Sequence, residues 1–185
     1  MVYILLGTGF EEAEALVPAD VLRRGNLPVS LVGIGGNTVT GAHGISVLAD
    51  DPVENVTLNS GDMVLLPGGM GGVASIEGCT HAMALAREAA EREDLWLAAI
   101  CAAPTLLARH HMIGNGQKAV CYPGMEDLML PAGVIPCMDV PALRDGKLIT
   151  GKGPGTAYDF ALLLLETLTD SQTAAQIRAA LHYGA

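Results

Sequence analysis

The chain of 185 residues is half apolar and only 16% charged, so it carries enough apolar material to bury one substantial core. We therefore expect a single domain spanning residues 1–185, and neither a disordered nor a coiled-coil chain. The formal net charge of −10 opposes binding to nucleic acid or to an anionic membrane. No run of residues approaches the ~20 apolar positions that are needed to span a bilayer.

The four cysteines are widely spaced and form no C-x-x-C pair, and no histidine pair has zinc-finger spacing. The glycine-rich stretches match neither the phosphate-binding loop nor the dinucleotide fingerprint. We therefore expect a cytoplasmic protein with reduced thiols that holds no metal ion and no cofactor.

Apolar runs alternate with helical patterns along the first half of the chain. The pattern predicts, in order, a strand Val2–Leu6, a helix 11–24 that Pro18 kinks or restarts, a strand 29–34, two small strands within 38–49, and a strand 62–66. A short helical piece then begins near Gly71-Gly72, and a longer helix covers 79–92.

The second half continues the alternation. It predicts a strand 95–100, a helix that begins near Pro104, a short strand 118–121, a helical piece 125–130, a hairpin whose flanks 134–143 and 147–150 enclose Arg144-Asp145-Gly146, a helix to Leu168 capped by Thr156, and a last helix 171–182. Such alternation is typical of a mostly parallel sheet with helices on both faces. The loops that leave three of its strands (7–14, 67–72 and 101–104) would then meet in one crevice.

Cys101 stands where the apolar strand meets the next helix. Ala99 and Ala103 flank it with small side chains, which is the A-x-C-x-A form of a nucleophile elbow. A helix N-terminus next to the sulfur would favour the thiolate. The alternative is that Cys101 is only a small buried side chain at the end of a strand.

Backbone donors for such a nucleophile are expected in the loop Pro67–Gly72, with Ala102 as a second donor. The alternative is a flexible turn before a helix. Glu11, Glu12 and Glu14 open the first helix, where the helix dipole alone explains at least two of them. One carboxyl that points into the crevice and keeps its proton could hydrogen bond with the thiolate.

No histidine lies near Cys101 in the sequence, although Cys–His hydrolases need such a base. His110 and His111 follow at the far end of the next helix, roughly 10 Å or more away at 1.5 Å per residue. His43, in a turn flanked by glycine, is either a pocket residue or a solvated turn residue.

Five motifs in order resemble the ThiJ/PfpI superfamily, in particular the branch of the parkinsonism-associated deglycase and the YajL-like proteins. They are G-F-E-E-A-E (9–14), V-L-R-R (21–24), L-P-G-G (66–69), A-I-C-A-A-P (99–104) and G-P-G-T (153–156). The resemblance covers essentially the whole chain. It implies a flavodoxin-like three-layer sandwich and a homodimer formed through the first helix.

The resemblance also assigns roles by position. It implies that Cys101 is the reactive cysteine, Glu14 its protonated partner, and Gly69 and Ala102 the backbone donors. Gly68 would shape the donor turn and Pro154 would lie near the pocket.

Three departures from the family pattern concern the pocket. Tyr122 stands where many members have a histidine, and His43 where a relative has arginine. Ala102 stands where the peptidase branch has histidine, which argues against a cysteine peptidase or amidase.

Two functions from different classes remain open at this stage. The first is a cysteine enzyme that acts on a small reactive dicarbonyl or a glycated adduct (glyoxalase or deglycase chemistry), with Cys101 as nucleophile. The second is an oxidative-stress sensor or chaperone-like protein that works through oxidation of Cys101.

Overall fold

The computed structural model describes residues 1–184. Eleven strands are present in this part of the chain: β1 (Val2–Leu6), β2 (Val29–Gly33), β3 (Thr38–Thr40), β4 (Ser46–Leu48), β5 (Asp51–Pro52), β6 (Met63–Leu66), β7 (Trp96–Ile100), β8 (Lys118–Ala119), β9 (Ile135–Pro136), β10 (Ala142–Asp145) and β11 (Leu148–Gly151). The α-helices are α1 (Glu12–Arg24), α2 (Met70–Gly78), α3 (Thr80–Glu91), α4 (Ala103–Arg109), α5 (Ala157–Leu168) and α6 (Ser171–Ala180).

The central sheet has seven strands in the order β10-β11-β7-β6-β1-β2-β5. All neighbours in it are parallel except β10 and β11, which form an antiparallel hairpin. Because β7, β6 and β1 are adjacent, the three loops at their carboxyl ends meet at one edge, as the sequence predicts. The strand order reverses between β6 and β1, and this switch point is where open parallel sheets bind ligands.

Helices cover both faces of the sheet and complete the predicted three-layer sandwich. On one face, a row of apolar side chains in register (Leu31, Ile4, Leu65, Ala98 and Ile149) packs in the cluster that contains α1 and α5. The alternate positions of the same strands face α2, α3 and α4 in a second apolar cluster. This burial on both faces explains why the central strands are uninterrupted apolar runs. No helix within residues 1–184 is long and apolar enough to cross a membrane.

Several local predictions need correction. Helix α1 runs through Pro18 without a restart. The hairpin turn is Gly146-Lys147 and not 144–146, since Arg144 and Asp145 still pair with Ile149 and Leu148. The flank 134–143 is not one strand, because its first part pairs with β8 as β9. The piece 125–130 forms two short 3₁₀ turns, Glu126–Leu128 and Leu130–Ala132.

Thr156 is the N-cap residue of α5 as predicted, but its side chain makes no capping hydrogen bond to that helix because it bonds within the preceding turn. Its hydroxyl donates to the Gly153 carbonyl at 2.9 Å and closes the 3₁₀ turn Pro154–Thr156. A side-chain cap does occur at the next helix, where Asp170 accepts a hydrogen bond from the Thr173 N–H at 2.7 Å.

Candidate active site

Cys101 occupies a strained backbone position between β7 and α4. Its backbone angle φ is +65°, a value that residues other than glycine rarely adopt. The Cys101 N–H donates to the Gly151 carbonyl and its own carbonyl accepts from the Tyr122 N–H, both at 2.9 Å. The neighbouring strand and loop therefore hold the elbow on both sides. Strain maintained in this way is typical of functional positions.

Small flanking residues permit this turn, as the sequence predicts. Ala99 and Ala103 are completely buried against the surrounding core. Pro104 lies in the first turn of α4, where its missing N–H costs no hydrogen bond. Cys101 is only partly buried and lines a cavity, so it is not enclosed in the core as the alternative interpretation expects.

Glu14 extends from α1 to the edge of the sheet beside the elbow and is completely buried. Its Oε2 accepts a hydrogen bond from the Gly68 N–H at 2.8 Å. Its Oε1 is buried and has no hydrogen-bond partner among residues 1–184. Burial raises the pKa of Glu14 to about 7, although the Cys101 thiol and the Gly68 N–H act in the opposite direction. A proton on this carboxyl is therefore accessible near neutral pH.

Gly68 borders the space between the Glu14 carboxyl and the Cys101 thiol. A Cβ placed on Gly68 would lie 2.5 Å from Oε2 of Glu14 and 3.0 Å from Sγ of Cys101. Only a glycine leaves the space through which the two groups approach each other.

The next residue turns a backbone donor toward the sulfur. Gly69 has φ +79° and precedes α2, and hydrogen bonding from the N–H groups of Gly69 and Ala102 lowers the pKa of Cys101. These are the two residues that the sequence leads us to expect as backbone donors to Cys101.

The net effect on the thiol differs from the expectation drawn from the helix N-terminus. Burial, followed by the negative charge of Glu14, raises the pKa of Cys101 to about 12 and outweighs the two N–H groups. Each ionised group opposes ionisation of the other, so one proton shared between sulfur and carboxyl is expected near neutral pH. Since the pKa of Cys101 is the higher of the two, the sulfur keeps its proton near neutral pH, and an ionised Glu14 is the group placed to accept it when the sulfur reacts.

The thiol opens into a cavity of about 440 Å³. The cavity is lined by Glu11, Ala42, His43, Gly69, Met70, Cys101, Ala102, Tyr122, Pro123 and Met125. His43 and Tyr122 are pocket residues as predicted, whereas Pro154 does not line this cavity. Its neighbour Gly153 instead lies against the Tyr122 ring.

Glu12 has a role that sequence reasoning missed by attributing it to the helix dipole. It is only 6% exposed, and its Oε1 accepts the His43 N–H at 2.7 Å while its Oε2 contacts the His43 Nδ1 at 2.8 Å. Although burial alone would raise the pKa of Glu12, the hydrogen bonds from His43 and Ile45 lower it to about 2. The same contact, together with Glu11 and Glu12 as nearby negative charges, raises the pKa of His43.

Glu11, Glu12 and His43 are also the group that could hold a metal ion within residues 1–184. Their ligand atoms lie within 4.8 Å of one another. The sequence gives no signal for this group, because His43 is far from the two glutamates along the chain. The cavity's apolar lining by Met70 and Met125 was missed for the same reason.

The fold and the site together define an α/β protein with a cysteine at a strained strand-to-helix turn and a buried carboxyl group beside it. A model of the DJ-1/PfpI family matches residues 1–167 of the chain. The protein therefore belongs to the DJ-1/PfpI family, which confirms the resemblance seen in the motifs.

Individual relatives are similar over most of their length. Protein dj-1beta of Drosophila melanogaster is 36% identical over 175 residues, which are 94% of this chain and 92% of that protein. Its crystal structure superposes with a TM-score of 0.91 and 33% identity, covering 100% of this chain and 98% of that one.

Two further relatives carry names that describe chemistry. The glutathione-independent glyoxalase DJR-1.2 of Caenorhabditis elegans is 34% identical over 158 residues, which are 85% of this chain and 82% of that protein. The solved structure of oxidized Toxoplasma gondii DJ-1 matches with a TM-score of 0.88 and 29% identity, over 100% of this chain and 98% of that one.

Proposed function

We propose that this protein is a cysteine-dependent glyoxalase that converts small 2-oxoaldehydes such as methylglyoxal into 2-hydroxy acids without glutathione. The observation that carries the proposal is the pairing of a strained, accessible thiol with a buried carboxyl whose pKa is raised to about 7. Such a carboxyl can both accept and return a proton at neutral pH. The glyoxalase name of the Caenorhabditis elegans relative supports this choice of substrate class.

The first step is attack of Cys101 on the aldehyde carbon. The S–C bond forms as the thiol proton moves to Glu14, and the former carbonyl oxygen gains a negative charge. The N–H groups of Gly69 and Ala102, which already point to the sulfur, are placed to hydrogen bond with that oxygen. Glu14 then gives the thiol proton to this oxygen, which completes the hemithioacetal and returns Glu14 to its carboxylate form.

The second step moves hydrogen between the two substrate carbons. Glu14 as carboxylate removes the proton from the carbon bound to sulfur, and the electron pair forms an enediol. Return of the proton to the neighbouring carbon gives a 2-hydroxyacyl thioester on Cys101. Water then cleaves this thioester, which yields the hydroxy acid and restores the thiol, so the overall change is addition of one water.

The test is conversion of methylglyoxal to lactate by the purified protein without glutathione. We expect lactate from the wild type and from Cys79→Ala, whose thiol is partly exposed but lies outside the cavity. We expect none from Cys101→Ala. Equal lactate formation by wild type and Cys101→Ala would remove the proposal.

The same thiol and carboxyl could act on a glycated amine or thiol formed from the same aldehyde. The partly open cavity of about 440 Å³ is large enough to admit an amino-acid adduct as well as methylglyoxal. Incubation with methylglyoxal-modified N-acetyl-arginine tests this extension. Release of unmodified N-acetyl-arginine must exceed the rate at which the adduct dissociates alone, since trapping of free methylglyoxal otherwise explains the release.

Oxidation sensing is the second candidate, because the groups around the sulfur also suit a sulfinate. The Gly69 and Ala102 N–H groups and a protonated Glu14 could each donate to one of its oxygens. The oxidized form of the Toxoplasma gondii relative favours this chemistry. Mass spectrometry after mild peroxide treatment should locate two added oxygens on Cys101 selectively. Equal oxidation of all four cysteines would argue against a sensor.

We also propose a homodimer formed through α1, in the cytoplasm. Leu16 and Val17 on α1 are apolar and remain partly exposed, and the four unpaired cysteines suit a reducing compartment. Light scattering should give a dimer mass for the wild type and a monomer mass for Val17→Arg. A monomeric wild type would refute the dimer.

A further inference from the structure

Glu12 and His43 form a second carboxyl-containing pair at the cavity that also contains Cys101. One oxygen of Glu12 accepts the backbone N–H of His43 at 2.7 Å, and the other contacts the ring Nδ1 at 2.8 Å. Both the position and the rotation of the imidazole are thus fixed by one buried side chain. The His43 side chain is 67% exposed, whereas the Glu12 side chain that holds it is only 8% exposed.

The contact also determines which ring nitrogen is available. An ionised carboxylate only accepts hydrogen bonds, so the neutral ring carries its proton on Nδ1 and offers the lone pair of Nε2. His43 lines the same cavity as Cys101, and its exposed ring is open to water. An imidazole oriented by a buried carboxylate beside a nucleophile is the arrangement that general-base catalysis requires.

We propose that Glu12 and His43 form a second acid–base pair, in which Nε2 of His43 activates the water that releases the product from Cys101. The inference rests on the proposed glyoxalase function. It assigns the proton transfers of that reaction to two groups, Glu14 and the Glu12–His43 pair. Glu14 is completely buried beside the sulfur and serves the thiol and the substrate carbons. The hydrolytic water approaches from the solvent side, where His43 lies.

The step is balanced without a further reagent. Nε2 takes a proton as the water oxygen bonds to the thioester carbonyl carbon, and the N–H groups of Gly69 and Ala102 face the oxygen that becomes charged. The C–S bond then breaks, and the proton passes from Nε2 to the departing Cys101 sulfur. The hydroxy acid leaves as its carboxylate, with its own proton lost to water.

The groups that face the ring determine the pH dependence. Glu12 contacts Nδ1, and Glu11 lies 3.7 Å from it, while Tyr122 and the Cys101 thiol face the same cavity. The hydrogen bond with Glu12 and the two carboxylates raise the pKa of His43, and the ring acts as a base only in its neutral form. Product release should therefore accelerate as the pH rises through that pKa.

The test separates formation of the thioester from its hydrolysis. Wild type, His43→Gln, Glu12→Gln and Cys101→Ala are mixed with methylglyoxal and a chelator, and hydroxylamine traps the acyl thioester as lactohydroxamate. His81→Gln, on the exposed start of α3, is the matched histidine control. We expect His43→Gln to form the thioester at the wild-type rate, to accumulate it, and to release lactate at least about 100-fold more slowly.

Glu12→Gln distinguishes the effect of Glu12 on the orientation of the His43 ring from its effect on the position of the His43 backbone. Glutamine retains an oxygen for the His43 N–H but presents an NH₂ group to Nδ1, which forces the ring proton onto Nε2 and removes the base. This variant should hold the loop, keep a melting temperature close to that of the wild type, and accumulate thioester like His43→Gln. Both variants should lose the rise of the release rate with pH.

Four outcomes would overturn the inference. They are a release rate for His43→Gln within twofold of the wild type, equal slowing of thioester formation and hydrolysis, retention of the pH-dependent rise in both variants, and loss of wild-type activity in the chelator, which would make His43 a metal ligand. The first three leave the glyoxalase itself intact. If the wild type and Cys101→Ala behave alike, the proposed function fails first and this inference fails with it.

Discussion

The Gly68→Ala substitution tests whether the space between the carboxyl and the thiol is required. The added methyl group would lie 2.5 Å from Oε2 of Glu14 and 2.6 Å from Cβ of Cys101, and neither distance is sustainable for a real Cβ. At least one of the two groups must therefore move by several tenths of an ångström. The backbone of Gly68 is not left-handed, so the effect is steric and does not arise from strain at φ.

This clash should lower both the stability of the protein and its catalytic rate. Overpacking a well-packed site costs about 1–3 kcal/mol, which for a domain of this size corresponds to a fall in melting temperature of roughly 2–12 °C. Misplacement of a catalytic group by about 1 Å can reduce the rate about 100-fold. We therefore expect a folded variant whose lactate formation falls far more than its stability.

The assay measures melting temperature by calorimetry and lactate formation from methylglyoxal. Gly78→Ala is the matched control, since a Cβ there meets nothing within 4 Å and the residue ends α2 away from the cavity. It should keep full activity and lose no stability, because alanine is the better helix residue. A Gly68→Ala protein with wild-type melting temperature and wild-type activity would refute the argument that Glu14 and Cys101 meet at this glycine.

Three further predictions follow from other contacts. Burial raises the pKa of Glu14 from 4.5 to about 7. The protonated carboxyl therefore contributes to stability fully below pH 4.5, and this contribution is lost as the pH rises through 7. At 1.36 kcal/mol per pH unit, the contribution to the free energy of unfolding is on the order of 3 kcal/mol. Urea unfolding should therefore show Glu14→Gln more stable than the wild type at pH 9 relative to pH 5, and a pH-independent difference would contradict the burial argument. Leu165→Ala should lower the free energy of unfolding by about 2–5 kcal/mol. Gly25→Ala should cost less in the Leu165→Ala background than alone, because its Cβ would lie 2.3 Å from Leu165 Cδ1. Additive values in a double-mutant cycle would contradict this coupling. Glu77→Gln should change the unfolding free energy by less than about 1 kcal/mol despite its 2.8 Å contact with Arg109, since both side chains are at least one third exposed; a larger loss in urea would show that the pair is not solvent-screened.

The elements of the fold could be predicted because their signals lie within a few neighbouring residues. An apolar run such as 95–100, followed by cysteine and by Pro104, specifies a buried strand that turns into a helix. Local signals were less reliable where a side chain had two possible partners. The Thr156 hydroxyl could have capped α5, but it bonds to Gly153 in the preceding turn. The segment 134–143 contains strand-forming residues, yet only contact with β8 and β11 decides which of them pair.

The sequence by itself determined the class of fold and the position of Cys101 at a strand-to-helix turn, because short local patterns encode them, whereas the choice of Glu14 among three glutamates came only from the resemblance to the family. Tertiary structure alone decided the contacts between distant residues, such as Glu14 with Gly68 across 54 positions and Glu12 with His43 across 31. The physical reason is that helical spacing indicates which face of α1 is buried, but not what that face meets. Burial then sets the pKa of Glu14 and Cys101, and this balance arises only when β1, β6 and β7 lie side by side.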